Sequence, residues 1–107
     1  MPKGKSIHSK EYPVFLQLLI ETRQEADLTQ AKLAHKTGLS QPYVSAVERG
    51  ILRLDTLQLR TWLLGCGSDL GTFGAELEKR LKAFERGSEG MKARRAKRAS
   101  KDKAAHD

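Results

Sequence analysis

The sequence predicts an all-α fold: a compact set of five helices in one domain, followed by a disordered basic C-terminal tail. Three observations carry this reading. Apolar residues recur at three- and four-residue intervals in five successive stretches. Capping residues and glycines fall between those stretches, where helices begin and end. The 107-residue chain is 38% hydrophobic but only 6% aromatic, which suits a small helical core better than a β-sandwich.

Residues 1–8, MPKGKSIH, contain Pro, Gly and two lysines without periodicity and are expected to form a flexible arm. The domain is expected over residues 9–87. Its first helix, near 10–25, starts at Ser9 or Tyr12 with Pro13 in the first turn. Tyr12, Phe15, Leu16 and Leu19 give it an apolar stripe, and Leu28 in the following link should point inward. Arg23 is a charge near the end of that stripe, where an apolar residue would be expected.

The second and third helices are expected near 29–37 and 41–49. Thr29 caps the second, which carries Ala31, Leu33 and Ala34. Gly38 stands where the chain needs a residue that tolerates positive φ. Ser40 caps the third, and Pro42 falls in its first turn, where a missing N–H costs nothing. Val44 and Val47 share one face of that helix, leaving Gln41, Ser45, Ala46 and Arg49 off it. A helix with an apolar back and a small, hydrogen-bonding front suits insertion into a DNA major groove.

Gly50 ends the third helix, and Ile51–Leu54 is unusually apolar for a surface loop. Asp55 and Gln58 fit a capping box opening a fourth helix near 55–66. Leu59, Trp62, Leu63 and Cys66 supply its period and should close the core over Leu33, Val44 and Val47. Trp62 at that spacing is a core residue, and Cys66 a small buried hydrophobe. Gly67 ends the fourth helix, and Asp69 caps a fifth near 70–86. Its apolar stripe runs through Leu70, Phe73, Leu77, Leu81 and Phe84. Gly87–Gly90 breaks the pattern. Residues 88–107 then have almost no large apolar side chain and are expected to be a disordered or transiently helical tail.

Thr29-Gln30, Leu33-Ala34, Gly38-Leu39-Ser40 and Val47-Glu48-Arg49-Gly50 resemble the helix-turn-helix of the lambdoid repressor and Cro superfamily, the XRE-type regulators. The resemblance runs from about Tyr12 to Phe73, so it covers the globular part but not the tail. It implies a repressor-like DNA-binding domain. It also implies that Arg23 pairs with Glu48, tying the first helix to the third. Pro42 and Ala46 occupy positions where family members that read bases by hydrogen bonds often carry polar residues. Here they offer apolar contact, such as to a thymine methyl.

The charge is unevenly placed. Residues 1–87 carry 13 basic and 10 acidic side chains, and residues 88–107 carry 7 and 3. A fifth of the chain thus holds over half of the excess charge, which favours a polyanionic partner. No apolar run reaches membrane length and no signal-peptide core is present, so a cytoplasmic protein without a membrane partner is expected. One cysteine excludes an intrachain disulfide and fits a reducing compartment. The scattered histidines and cysteine show no zinc spacing, and neither a phosphate-binding Gly loop nor a nucleophile beside a histidine stands out. A non-enzyme without cofactor or metal is therefore expected.

The resulting expectation is a sequence-specific double-stranded DNA-binding regulator, a repressor of bacterial or phage origin. Its base-reading residues are Gln41, Pro42, Ser45 and Ala46. Gln41 is the best suited, because its amide can bond adenine N6 and N7 together. Gln30, Tyr43, Arg49 and Arg53 are the phosphate-binding candidates, Gln30 aided by the helix dipole. Tail residues Lys92, Arg94, Arg95, Lys97 and Arg98 add non-specific attraction. Leu77, Leu81 and Phe84 extend past what a five-helix domain of this type covers. They form a homodimer contact, or the fifth helix folds back on its own domain; both readings stand open. Two other function classes remain: an antitoxin that binds a toxin through Ile51–Leu54 and the fifth helix, and a bridging coactivator.

Overall fold

The computed structural model describes the backbone of residues 10–98 and the side chains of residues 10–87. Five helices follow one another: α1 (Tyr12–Glu25), α2 (Gln30–Thr37), α3 (Gln41–Glu48), α4 (Thr56–Gly65) and α5 (Leu70–Arg98). No strand occurs among the described residues. No helix there is long and apolar enough to cross a membrane.

The caps explain the boundaries. The hydroxyls of Thr29 and Ser40 accept the backbone N–H groups of Lys32 and Tyr43, starting α2 and α3. Asp55 and Gln58 form a reciprocal capping box at α4. By contrast, α1 starts without a side-chain cap: Glu11 stands at its N-cap and Pro13 follows in the first turn. Three helices end alike, with one residue in the left-handed region and the next N–H reaching back to a carbonyl in the last turn. At α3 the residue is Gly50 (φ 80°), and Ile51 N–H bonds the Ala46 carbonyl at 2.9 Å. At α4 it is Gly67 (φ 77°), with Ser68 N–H on the Leu63 carbonyl at 2.8 Å. At α1 it is Asp27 (φ 64°), with Leu28 N–H on the Arg23 carbonyl at 3.2 Å. A left-handed aspartate carries a steric cost that glycine avoids.

The end expected for the fifth helix at Arg86 is corrected: α5 continues to Arg98. Gly87 and Gly90 do not stop it, because an interior glycine costs a helix only about 1 kcal/mol and no proline follows. Residues 91–98, MKARRAKR, are otherwise good helix formers. Residues 99–107 and the arm expected over 1–8 lie outside the described residues.

The core draws on every helix. Leu19, Leu33, Val44, Val47, Trp62 and Leu63 are fully covered, with Leu18, Ala34 and Phe73 nearly so. Leu28, Leu39, Leu54, Leu59, Leu70 and Leu77 pack around them. Phe15 meets Phe73 edge-on, centroids 5.7 Å apart, which joins α1 to α5. The Trp62 indole N–H is buried without an acceptor among the described residues. The ring's large apolar burial offsets that loss. At Gly65, α4 comes close to α2. A Cβ on Gly65 would stand 2.6 Å from Thr37 Cγ2 and 3.2 Å from Leu33 Cδ1.

Candidate nucleic-acid interface

The α2–turn–α3 unit is assembled from the inside outward. Val44 and Val47 are fully buried, so α3 is held by its back. Its first turn therefore faces out: Gln41 and Pro42 are exposed, while Ser45 and Ala46 one turn on are half-buried. Gln41 has no side-chain partner among the described residues, leaving its amide available to a ligand.

Arg23 and Glu48 meet beneath this unit. Arg23 Nε lies 2.7 Å from Glu48 Oε2, and a terminal guanidinium nitrogen donates to Oε1 at 3.0 Å. The other terminal nitrogen donates to the Leu28 carbonyl at 2.7 Å. With the side chains only 11% and 5% exposed, the pair is shielded from solvent, where such interactions are strongest. Gln30 completes the cluster: its Nε2 donates to Glu48 Oε1 at 2.9 Å. Gln30, expected at a phosphate, is thus also tied to the ion pair. One of its amide hydrogens is held inside the protein by a carboxylate that also takes two hydrogen bonds from Arg23.

Tyr43, also expected at a phosphate, has a partner inside the protein as well. Its hydroxyl donates to Gln58 Oε1 at 2.9 Å instead of standing free beside the helix. Burial, and secondarily the Asp55 carboxylate, raise the hydroxyl above its ordinary pKa, so it stays a donor. The physical reason is position: three residues from Ser40 and one from Val44, the ring lies partly against the core. Arg53 is exposed, with its guanidinium carbon 4.7 Å above the Tyr12 ring, a cation–π contact that aligns it. Arg49 is exposed at the C-cap of α3.

On α5, Leu77 packs against the core of its own domain. Arg80 strengthens the same seam, donating to Glu21 of α1 and to Glu76, each at 2.8 Å. Leu81 and Phe84 are half-buried further along. The side chains of Lys92, Arg94, Arg95, Lys97 and Arg98 lie outside the described residues. Burial pushes the half-buried Cys66 thiol up to about 11, the opposite of what a nucleophile needs. Among the described residues no cluster of His, Cys, Asp and Glu has the arrangement to hold a metal ion.

Sequence reasoning missed the links of Tyr43 to Gln58 and of Arg80 to Glu21. The capping-box glutamine was legible, but nothing in one-dimensional spacing says that α3 reaches it.

Comparison with known proteins follows the same outline. A helix-turn-helix family profile matches residues 19–66, from mid-α1 to the end of α4. An XRE-family-like protein from Pseudomonas syringae pv. tomato str. DC3000 is 34% identical, over 75% of this chain and 98% of its own, with a TM-score of 0.65. This chain belongs to the XRE family. The XRE fold also aligns with the wild-type restriction-modification controller protein C.Esp1396I, 26% identical over 68% of this chain and 96% of that one, with a TM-score of 0.63. A tetramer of that controller in complex with its natural 35 base-pair operator aligns at 27% identity over 66% and 93%, with a TM-score of 0.61. No curated protein matches this XRE-family chain.

Proposed function

We propose that this XRE-family chain is a sequence-specific double-stranded DNA-binding regulator of transcription, acting as a repressor in a bacterial or phage-infected cytoplasm and carrying out no catalysis. The observation that carries the reading is the geometry of α3. Its back is locked into the core by Val44 and Val47, and its first turn presents an exposed Gln41 amide with no side-chain partner among the described residues. A rigid helix with a free bidentate side chain at its leading end has the form that reads adenine in the major groove. Pro42, Ser45 and Ala46 complete the reading surface. Arg49 and Arg53 hold phosphates, Arg53 steadied by Tyr12. Gln30 retains a second amide hydrogen for a phosphate, and the basic residues 92–98 add non-specific attraction. The operator complex of the related controller supports the choice of double-stranded DNA as partner.

The working unit is a homodimer joined through Leu81 and Phe84, since a two-fold operator asks for a two-fold protein. Sedimentation of the Leu81→Glu variant as a monomer, with a wild-type dimer, fits this; a wild-type monomer at operator-saturating concentration removes it. A second reading, an autoregulating antitoxin, draws on Ile51 and Leu52, which are 61% and 42% exposed in the α3–α4 loop. Co-purification with a toxin encoded next to the gene would favour it.

The deciding experiment is footprinting on the gene's own upstream region, followed by salt titrations on the protected site and a scrambled duplex. Gln41→Ala should lose about 1–3 kcal/mol on the site and little on scrambled DNA. Removing residues 88–107 should flatten the salt dependence, by about 0.9 in slope for each phosphate no longer neutralised, and keep the specificity ratio. Equal weakening of both duplexes by Gln41→Ala would show that α3 does not read sequence.

A further inference from the structure

We propose that Gln58, at the start of α4, is a phosphate-binding residue whose amide is turned toward the DNA by Tyr43 and Asp55; this rests on the reading of α3 as the groove helix. The side chain of Gln58 has two ends with opposite chemistry. Its Oε1 takes the Tyr43 hydroxyl at 2.9 Å and the Asp55 backbone N–H at 3.3 Å. A backbone N–H can only donate, so the atom that meets it must be the oxygen. Both acceptor sites of that oxygen are then occupied from inside the protein. The amide nitrogen is left on the outer side, and its two hydrogens have no acceptor among the described residues. Gln58 is half-buried, which leaves that nitrogen a path to a ligand.

Tyr43 also fixes where the amide stands. It lies in the same first turn of α3 as the exposed Gln41. Gln58 is thus one tyrosine side chain away from the turn that enters the groove. The major groove is about 12 Å wide and a helix with its side chains fills about 10–12 Å. A group hydrogen-bonded to the helix flank therefore lies at the groove wall, where the phosphates run. An N–H donor with its orientation set in advance suits a phosphate oxygen, which only accepts. Tyr43 and Asp55 act here as positioning residues.

The Gln58→Glu substitution tests this cleanly. A glutamate keeps one oxygen for Tyr43 and Asp55, and Glu is a natural third residue of a capping box, so the fold is retained. The outward N–H₂ becomes an anionic oxygen facing an anionic phosphate. The full-length chain is titrated with a duplex from the gene's upstream region and with a scrambled duplex. Gln24→Glu, at an exposed position on α1, controls for the change in net charge. The Gln58→Glu variant should melt like wild type yet bind both duplexes about tenfold or more weakly, beyond any effect of Gln24→Glu. Its penalty should shrink on duplexes carrying a neutral methylphosphonate at the phosphate that Gln58 meets. Equal binding by the two variants, or a penalty indifferent to every methylphosphonate, would overturn the proposal while leaving the regulator reading in place. A wild-type chain that binds no duplex would overturn the regulator reading, and this inference with it.

Discussion

Arg23 grips Glu48 through two parallel hydrogen bonds of 2.7 and 3.0 Å, and both side chains are almost closed to solvent. The pair joins α1 to α3, and through Leu28 and Gln30 it also holds the start of α2. Glu48→Ala leaves the buried guanidinium of Arg23 without its counter-charge. The expected loss is about 3–5 kcal/mol, read by chemical denaturation. Unchanged stability would mean that solvent reaches the guanidinium and replaces the carboxylate.

Gly65 and Gly74 should respond oppositely to alanine. A Cβ at Gly65 runs into Thr37, whose hydroxyl is bound to the Leu33 carbonyl at 2.8 Å and resists rotation. Gly65→Ala should cost about 1–3 kcal/mol, because α2 and α4 must separate. A Cβ at Gly74 meets nothing within 4 Å, and the position is interior to α5. Gly74→Ala should stabilise by about 0.5–1 kcal/mol through helix propensity. Thermal melts of the two variants moving in the same direction would refute the helix contact at Gly65.

Asp27 holds the left-handed position at the end of α1. Asp27→Gly should raise stability by up to about 1 kcal/mol, because the steric cost at positive φ outweighs the added entropy of the unfolded chain. A lower melting temperature would show that the aspartate side chain contributes more than its backbone strain removes.

The α1–α5 seam should weaken in acid. Arg80 is the main cause that holds the carboxyls of Glu21 and Glu76 below their ordinary range, with Gln17 adding to the effect at Glu21. Groups with lowered folded pKa values contribute fully above their unfolded value, about 4.3, and lose that contribution as pH falls through the folded values. Arg80→Met should therefore be less acid-sensitive than wild type below about pH 5, although less stable at neutral pH. Parallel stability curves for the two proteins between neutral and acidic pH would contradict this. All three side chains are 30–41% exposed, so solvent screening keeps the effect small.

The five helices and their order were legible because their signals are local. Thr29, Ser40 and Asp55 cap within three residues of themselves, and Gly38, Gly50 and Gly67 relieve strain at their own φ. The same holds for the core: Leu33, Val44, Val47, Trp62 and Leu63 follow from spacing on single helices. The outward-facing Gln41 is the complement of that buried spacing. The end of α5 was not legible, because Gly87 and Gly90 read as a break while the weighing of about 1 kcal/mol per glycine against good flanking helix formers is marginal.

What the sequence by itself determined is the all-α architecture, the membership in a helix-turn-helix family, and the face of α3 that points away from the core. These depend on interactions between residues a turn or so apart. Tertiary structure alone decided the side-chain partners: Gln30 held by Glu48, Tyr43 bound to Gln58, Gly65 pressed on Thr37, and Arg80 bridging Glu21 and Glu76. Most of these join residues on different helices, at distances set by how the helices cross. Whether a polar side chain there meets water or another helix depends on that crossing, and no periodicity along one helix encodes it.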